Sequence, residues 1–214
     1  MMTDRTNENN SQNPSMISFI KDPPNICSLL GLLSALIGIY FAIAGNFSLA
    51  MVGVIWAVVF DWTDGIVARR LKGRTKYHRL YGGQLDSLID VVSFGVFPAI
   101  FLLSYGGFNL WFLPGSFIIV AVGVIRLSYF NVFGLVDKKT YMGLALDNNV
   151  IILAFVFLFE RFFQQETFAI IMYILLVGMS AFNLASVKTP KFTGKWFYVL
   201  IGYSLILTVI YGWL

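Results

Sequence analysis

The sequence predicts an all-α polytopic membrane protein, a transmembrane helical bundle of six to seven spans. Three observations carry this. The chain is 58% hydrophobic and only 12% charged, far too apolar for a soluble domain of 214 residues. Seven apolar runs approach the ~20 residues that a helix needs to cross a bilayer. They lie near residues 26–44, 48–68, 84–105, 109–131, 144–163, 167–187 and 196–214. The basic residues, finally, collect in alternate connections.

The segments follow in order. Residues 1–20, MMTDRTNENNSQNPSMISFI, lack the basic start and apolar core of a cleaved signal peptide and read as a polar cytosolic tail. With the N-terminus inside, the connection after the second run holds Arg69, Arg70, Lys72, Arg74, Lys76 and Arg79. The next inner connections hold Lys138 and Lys139, then Lys188, Lys191 and Lys195, whereas the outer ones hold only Arg161. This asymmetry orients the chain and expects a cytoplasmic-membrane protein with its N-terminus in the cytosol. Ser180, Asn183 and Ser186 dilute the sixth run.

Several function classes fall away. The formal charge of +4 is explained by basic inner loops, so no nucleic-acid partner is expected, while membrane lipids are. A single cysteine, Cys27, excludes an intrachain disulfide and a thiolate metal cluster. The one histidine, His78, reads as a solvated residue of the basic connection. The many aromatic residues read as lipid contacts and interfacial anchors, and Gly115 and Gly123 as points of close helix packing.

Four carboxylates resist such accounts. Asp61, Asp64, Asp86 and Asp90 stand at or near the ends of apolar helical segments, where an ionised group is costly and marks a functional site. The first pair is spaced i, i+3 and the second i, i+4, so each shares a helix face. Two such faces meeting would repel unless protonated or balanced by cations, and two divalent cations make a phosphoryl-transfer centre the natural physical reading. Gly65 follows Asp61 by four and Ala68 follows Asp64 by four, which continues that face with small residues. Arg69 beside it can offer a planar fork of donors to phosphate oxygens. Gly82 precedes Asp86 by four and would keep the opposite wall low.

Asp61, Asp64, Gly65, Ala68, Arg69, Gly82, Asp86 and Asp90 together resemble the signature of the CDP-alcohol phosphotransferase family, D-x-x-D-G-x-x-A-R, a spacer, then G-x-x-x-D-x-x-x-D. The spacer, twelve residues between Arg69 and Gly82, is longer than is usual in the family. The resemblance implies one transmembrane catalytic domain over residues 21–214 and transfer of a phosphatidyl-type group from a CDP-linked lipid to an alcohol, with release of CMP. It implies Asp61, Asp64, Asp86 and Asp90 as ligands of two divalent cations, Mg²⁺ or Mn²⁺ with Ca²⁺ as an option, and Asp90 as general base. It also implies that Asp64, Gly65, Ala68, Arg69 and Gly82 contact the nucleotide and pyrophosphate, and that the enzyme is a homodimer.

A finer match extends over LDSLIDVVSFGVFP, the PPN of Pro23 to Asn25, RLSYFN from Arg126 and KTPKF from Lys188. It resembles the phosphatidylserine synthase branch and implies CDP-diacylglycerol and L-serine as substrates, with Arg126, Ser93 and Asn25 as acceptor-binding residues. Arg126 is either a carboxylate or phosphate clamp or an arginine snorkelling to the interface. After Gly143-Leu144 the branch commonly continues with prolines and small residues, but this chain reads ALDNNV, so Asp147, Asn148 and Asn149 could line an altered acceptor pocket. Glycerol 3-phosphate or inositol as acceptor, an archaeal-type lipid donor, and a cation transporter using the aspartates remain as alternatives. The absence of internal repeats and the one-sided carboxylates speak against transport.

Overall fold

The computed structural model describes residues 15–134, 140–190 and 194–213. Lys138, Lys139, Lys191 and the first fourteen residues of the expected tail lie outside them. The described chain is a helical bundle. A short helix α1 (Met16–Ile20) leads into α2 (Pro23–Ile43), α3 (Phe47–Arg70) and α4 (Lys76–Asp90). A π-helical turn, Val91–Val96, joins α4 to α5 (Phe97–Tyr105) in one 30-residue rod, and α6 (Leu113–Phe133) follows a 3₁₀ turn. Then come strand β1 (Thr140–Met142), α7 (Leu146–Phe157), α8 (Gln165–Leu184), strand β2 (Lys188–Pro190) and α9 (Lys195–Trp213).

Six described helices are long and apolar enough to span a membrane, which makes this an integral membrane protein. The expected fifth span is the short one: α7 has 12 residues. Asp147, Asn148 and Asn149 lie in its first turns and Glu160 follows its end, so only residues 150–157 are uninterrupted apolar helix. Even so, α7 connects both ends of the bundle. Asp147 at its start accepts from Trp62 near the end of α3, and Phe157 at its finish packs on Phe47, Phe101 and Tyr105. The helices therefore alternate in direction as the seven runs required.

Close backbone contact holds α2 against α3. A Cβ on Gly53 would lie 2.7 Å from Gly38 Cα and 2.9 Å from the Ser34 carbonyl oxygen, and the Ser34 hydroxyl donates to Gly53 O at 2.8 Å. Lipid gives helices no hydrophobic reason to associate, so small residues and buried hydrogen bonds supply the attraction. Gly115 does the same for α6, where the ring of Tyr173 on α8 occupies the space of a side chain. At the end of the bundle opposite the aspartates, Tyr105, Phe101, Phe157 and Phe168 interlock edge to face, and the Tyr105 hydroxyl donates to Glu160 at 3.1 Å. Outward faces carry Leu33, Ile37, Phe117, Ile174 and Ile206, as lipid contact demands.

The π turn was not anticipated. Pro98 lacks an N–H and its ring crowds the carbonyl four residues back, at Phe94; widening the helix over Val91–Val96 relieves that conflict just after Asp90. The basic connection also differs from expectation. Only Leu71–Thr75 separate α3 from α4, so most of the long spacer is helix. His78 is half-buried on α4, with Nδ1 2.6 Å from Thr75 Oγ1 and its ring edge-on to Phe19. Phe19 itself is buried, stacked on Tyr81. Phe19 thus anchors α1 on α4.

Replacing Gly53 with Ala should force α2 and α3 apart and cost about 1–3 kcal/mol, the usual penalty of overpacking. The thermal midpoint of the purified protein in detergent should fall by several degrees; an unchanged midpoint would show that the glycine contact contributes nothing.

Candidate active site

The two aspartate pairs meet because α3 and α4, joined by a five-residue turn, both pack against α2. One carboxylate oxygen from each of Asp61, Asp86 and Asp90 lies within 4.8 Å of the others. Asp64 stands beside them in side-chain contact with Asp86, and its Oδ2 accepts a short hydrogen bond from Ser28 on α2. Like charges at such separations repel by roughly 3–4 kcal/mol per pair at the effective dielectric of a protein site. Arg74, on the turn between α3 and α4, pairs with Asp22 at 2.8 Å and not with this group. Asp90 Oδ1 is buried without a partner. Three convergent carboxylates with an unsatisfied oxygen are a donor set for a hard divalent cation.

The carboxylates form one wall of a cavity of about 200 Å³. Around them stand Gly65 and Arg69 from α3, Phe94 from the π turn, and Arg126, Leu127 and Phe130 from α6. Tyr141 of β1, Asp147 and Asn148 of α7, Pro190 of β2, and Gly194 and Phe197 at the start of α9 complete it. Strands β1 and β2 pair antiparallel, Tyr141 opposite Thr189, and cap this end of the bundle. The turn after β1 requires glycine: Gly143 has φ +73°, and a Cβ there would run into the Asn183 carbonyl.

A family model for CDP-alcohol phosphatidyltransferases matches residues 22–210, the whole bundle from the first turn of α2 to the last turns of α9. The chain belongs to the CDP-alcohol phosphatidyltransferase family. Among its relatives, archaetidylserine synthase of Methanothermobacter thermautotrophicus is 33% identical over 80% of this chain and 70% of its own. The CDP-diacylglycerol–serine O-phosphatidyltransferase of Methanocaldococcus jannaschii is 29% identical over 86% and 83%, and that of Helicobacter pylori 27% identical over 81% and 74%.

Against that family signature, the structure gathers some motif residues and sets others apart. Asp61, Asp64, Asp86, Asp90, Gly65 and Arg69 line the cavity. A Cβ on Gly65 would lie 3.4 Å from an Arg69 guanidinium nitrogen, so glycine leaves the arginine room to fold back along α3. Ala68 is not part of the lining. Gly82 faces away from it: a Cβ there would meet the Asn25 amide oxygen and Arg74, each at 3.0 Å. Asn25 is buried at this junction and donates to the Phe19 carbonyl at 2.8 Å, which ties α1 to α2 and leaves it outside the cavity. Ser93, 1% exposed and unpartnered, borders a small void behind the aspartates instead.

Arg126 is a buried cavity residue, not a snorkelling one. It is 7% exposed, its Nε lacks a partner, and its guanidinium carbon lies 5.7 Å from the centre of the Tyr141 ring. Burial raises the pKa of the Tyr141 phenol, and the Asp147 carboxylate adds to the rise. Of the ALDNNV stretch, Asp147 and Asn148 line the cavity, but Asn149 pairs with Asn183 of α8 at 2.7 Å and holds α7 to α8. Sequence reasoning missed Trp62 and Tyr141. Trp62 was grouped with the lipid-facing aromatics, yet its Nε1 donates to Asp147 Oδ2 at 2.8 Å.

The purified protein should bind Mn²⁺, read as loss of the free-ion electron paramagnetic resonance signal. Asp86→Asn, which removes a charge from the centre of the group, should weaken that binding about tenfold or more; equal binding by the variant would place the cation elsewhere.

Proposed function

We propose that this chain transfers a phosphatidyl-type group from a CDP-linked lipid to the hydroxyl of L-serine, releasing CMP. One observation carries the reading: a single cavity joins a carboxylate cluster suited to a pyrophosphate-bound cation with a buried, unpaired arginine suited to an acceptor carboxylate. The relatives' names support serine, which stands in all three, while the lipid part differs between them. CDP-diacylglycerol is therefore the donor to test first, with a CDP-linked archaeal lipid as its counterpart.

In this reading Asp61, Asp64, Asp86 and Asp90 hold two divalent cations, Mg²⁺ or Mn²⁺ by the hardness of the oxygen donors. When bound, such ions neutralise the pyrophosphate and stabilise charge on the departing CMP. The protein's own groups do the rest. Gly65 opens the wall of α3 to the nucleotide, and Arg69 donates to phosphate oxygens. Ser28 holds Asp64 in place. Arg126 takes the serine carboxylate in a bidentate grip and turns the hydroxyl towards the aspartates. Asp90 accepts the hydroxyl proton as the serine oxygen attacks the lipid-bearing phosphorus. The new P–O bond forms, the bond to CMP breaks, and CMP leaves with the electron pair. Gly82 and Asn25 act from outside the cavity by letting α4 approach α2, and Ala68 also stands outside it.

The basic residues from Arg69 to Arg79 share the end of the bundle with the cavity, which supports a cytosolic site in the cytoplasmic membrane. The nucleotide would meet water there while the acyl chains stay in lipid. A single catalytic domain from residue 21 onward and a homodimer follow from the same reading.

The test is CMP release by purified protein with CDP-diacylglycerol and Mn²⁺, with serine, glycerol 3-phosphate or inositol as acceptor. Release dependent on serine is the expected result; release only with another alcohol would overturn the acceptor. Asp90→Asn should lower kcat by about 10²–10⁴-fold, the usual worth of a general base, with CDP-diacylglycerol binding retained. Near-normal turnover would remove Asp90 from that role.

A further inference from the structure

Among the described residues, Asp147 is the one cavity carboxylate that the family signature does not contain. It lies outside the three-carboxylate cluster, on α7, and lines the same cavity as the aspartates, Arg126 and Tyr141. Trp62, next to Asp61 in sequence, fixes it by donating to Oδ2 at 2.8 Å. That bond selects one orientation and leaves Oδ1 for a ligand. Arg126 is near enough to feel the Asp147 charge, yet no ion pair within 4.0 Å joins them. The arginine is 7% exposed and its Nε is unsatisfied.

Two opposite charges that line one cavity, partly buried and unpaired, are an unusual arrangement. Left to themselves they would collapse into a salt bridge, because an unpaired buried charge is costly. A small zwitterion between them would satisfy both. Its carboxylate would meet the guanidinium fork and its ammonium the carboxylate, in the same sense as their charges. An acceptor with a phosphate and no ammonium would engage Arg126 but set a second anion against Asp147.

We propose that Asp147, oriented by the Trp62 indole, binds the α-ammonium group of a zwitterionic hydroxy-amino acid whose carboxylate is held by Arg126. This rests on the serine reading above and deepens it: Asp147 is the residue by which the site demands an amino acid and not merely a hydroxy acid. With both charged ends held, the hydroxymethyl group is the part left to face Asp90.

The experiment uses the full chain with CDP-diacylglycerol and Mn²⁺, and compares serine with 3-hydroxypropanoate, which is serine without its amino group. The wild type should favour serine by about 10–100-fold in kcat/KM, the range expected for a hydrogen bond to a charged group. Asp147→Asn should raise the KM for serine by a similar factor, leave the KM for CDP-diacylglycerol within about twofold and nearly abolish the preference between the two acceptors. Trp62→Phe keeps the carboxylate but releases it, and should raise the serine KM several-fold; it carries the test if Asp147→Asn does not fold. Equal use of the two acceptors by the wild type overturns the proposal without any variant, as does an unchanged serine KM in Asp147→Asn. Transfer to glycerol 3-phosphate with none to serine overturns the serine reading itself, and this inference with it.

Discussion

Carboxylate repulsion at one end of an apolar bundle is the constraint around which this protein is arranged. Three aspartate oxygens converge within 4.8 Å, and a fourth aspartate touches the group. Nothing in hydrocarbon would hold them there. What holds them is packing elsewhere: the glycine contact that locks α2 to α3, and the aromatic cluster of Tyr105, Phe101, Phe157 and Phe168 at the far end. The bundle is tight and apolar at one end so that it can be polar and open at the other. Such storage of unfavourable charge is what functional sites in membranes commonly show.

The polar residues buried near the cavity divide into two kinds. Ser28, Trp62 and Asn183 are satisfied by protein partners and fix the positions of Asp64, Asp147 and Asn149. Asp90 Oδ1, Arg126 Nε and, in the void behind the aspartates, Ser93 Oγ are left over. A satisfied network rigidifies, whereas an orphaned atom is a place where a ligand gains affinity without displacing anything. Of these, Asp90 Oδ1 and Arg126 Nε belong to residues that line the main cavity, and those residues are the ones that the proposed chemistry uses.

The α3–α4 wall was legible in the sequence because its information is local: i, i+3 and i, i+4 spacing places Asp61 with Asp64 and Asp86 with Asp90 whatever the rest of the chain does. The other wall was not. Trp62 and Asp147 are 85 residues apart, and nothing in either segment announces the other. Asp147 and Asn149 were read together as pocket residues, yet two positions apart on a helix they point nearly opposite ways, so only one could face the cavity. The shortness of α7 was hidden because apolar residues continue past the helix end through Leu158 and Phe159. Gly82 and Asn25 belong to the signature and the finer match as residues of a helix junction, a role that spacing alone does not separate from ligand contact.

The 12-residue α7 has a consequence for the lipid around it. At 1.5 Å per residue it is about 18 Å long, against a hydrocarbon core of ~30 Å. Hydrophobic mismatch of that size would normally thin or tilt the surrounding bilayer. Here α7 is largely enclosed by protein, with Leu146, Val150, Leu153, Ala154 and Phe157 buried, so the deficit is internal. The missing length is taken up at the cavity end, where the first turns of α7 are polar and Asp147 and Asn148 line the cavity. A water-soluble reactant can thus descend to a lipid-borne one, and the acyl chains need not rise to meet it.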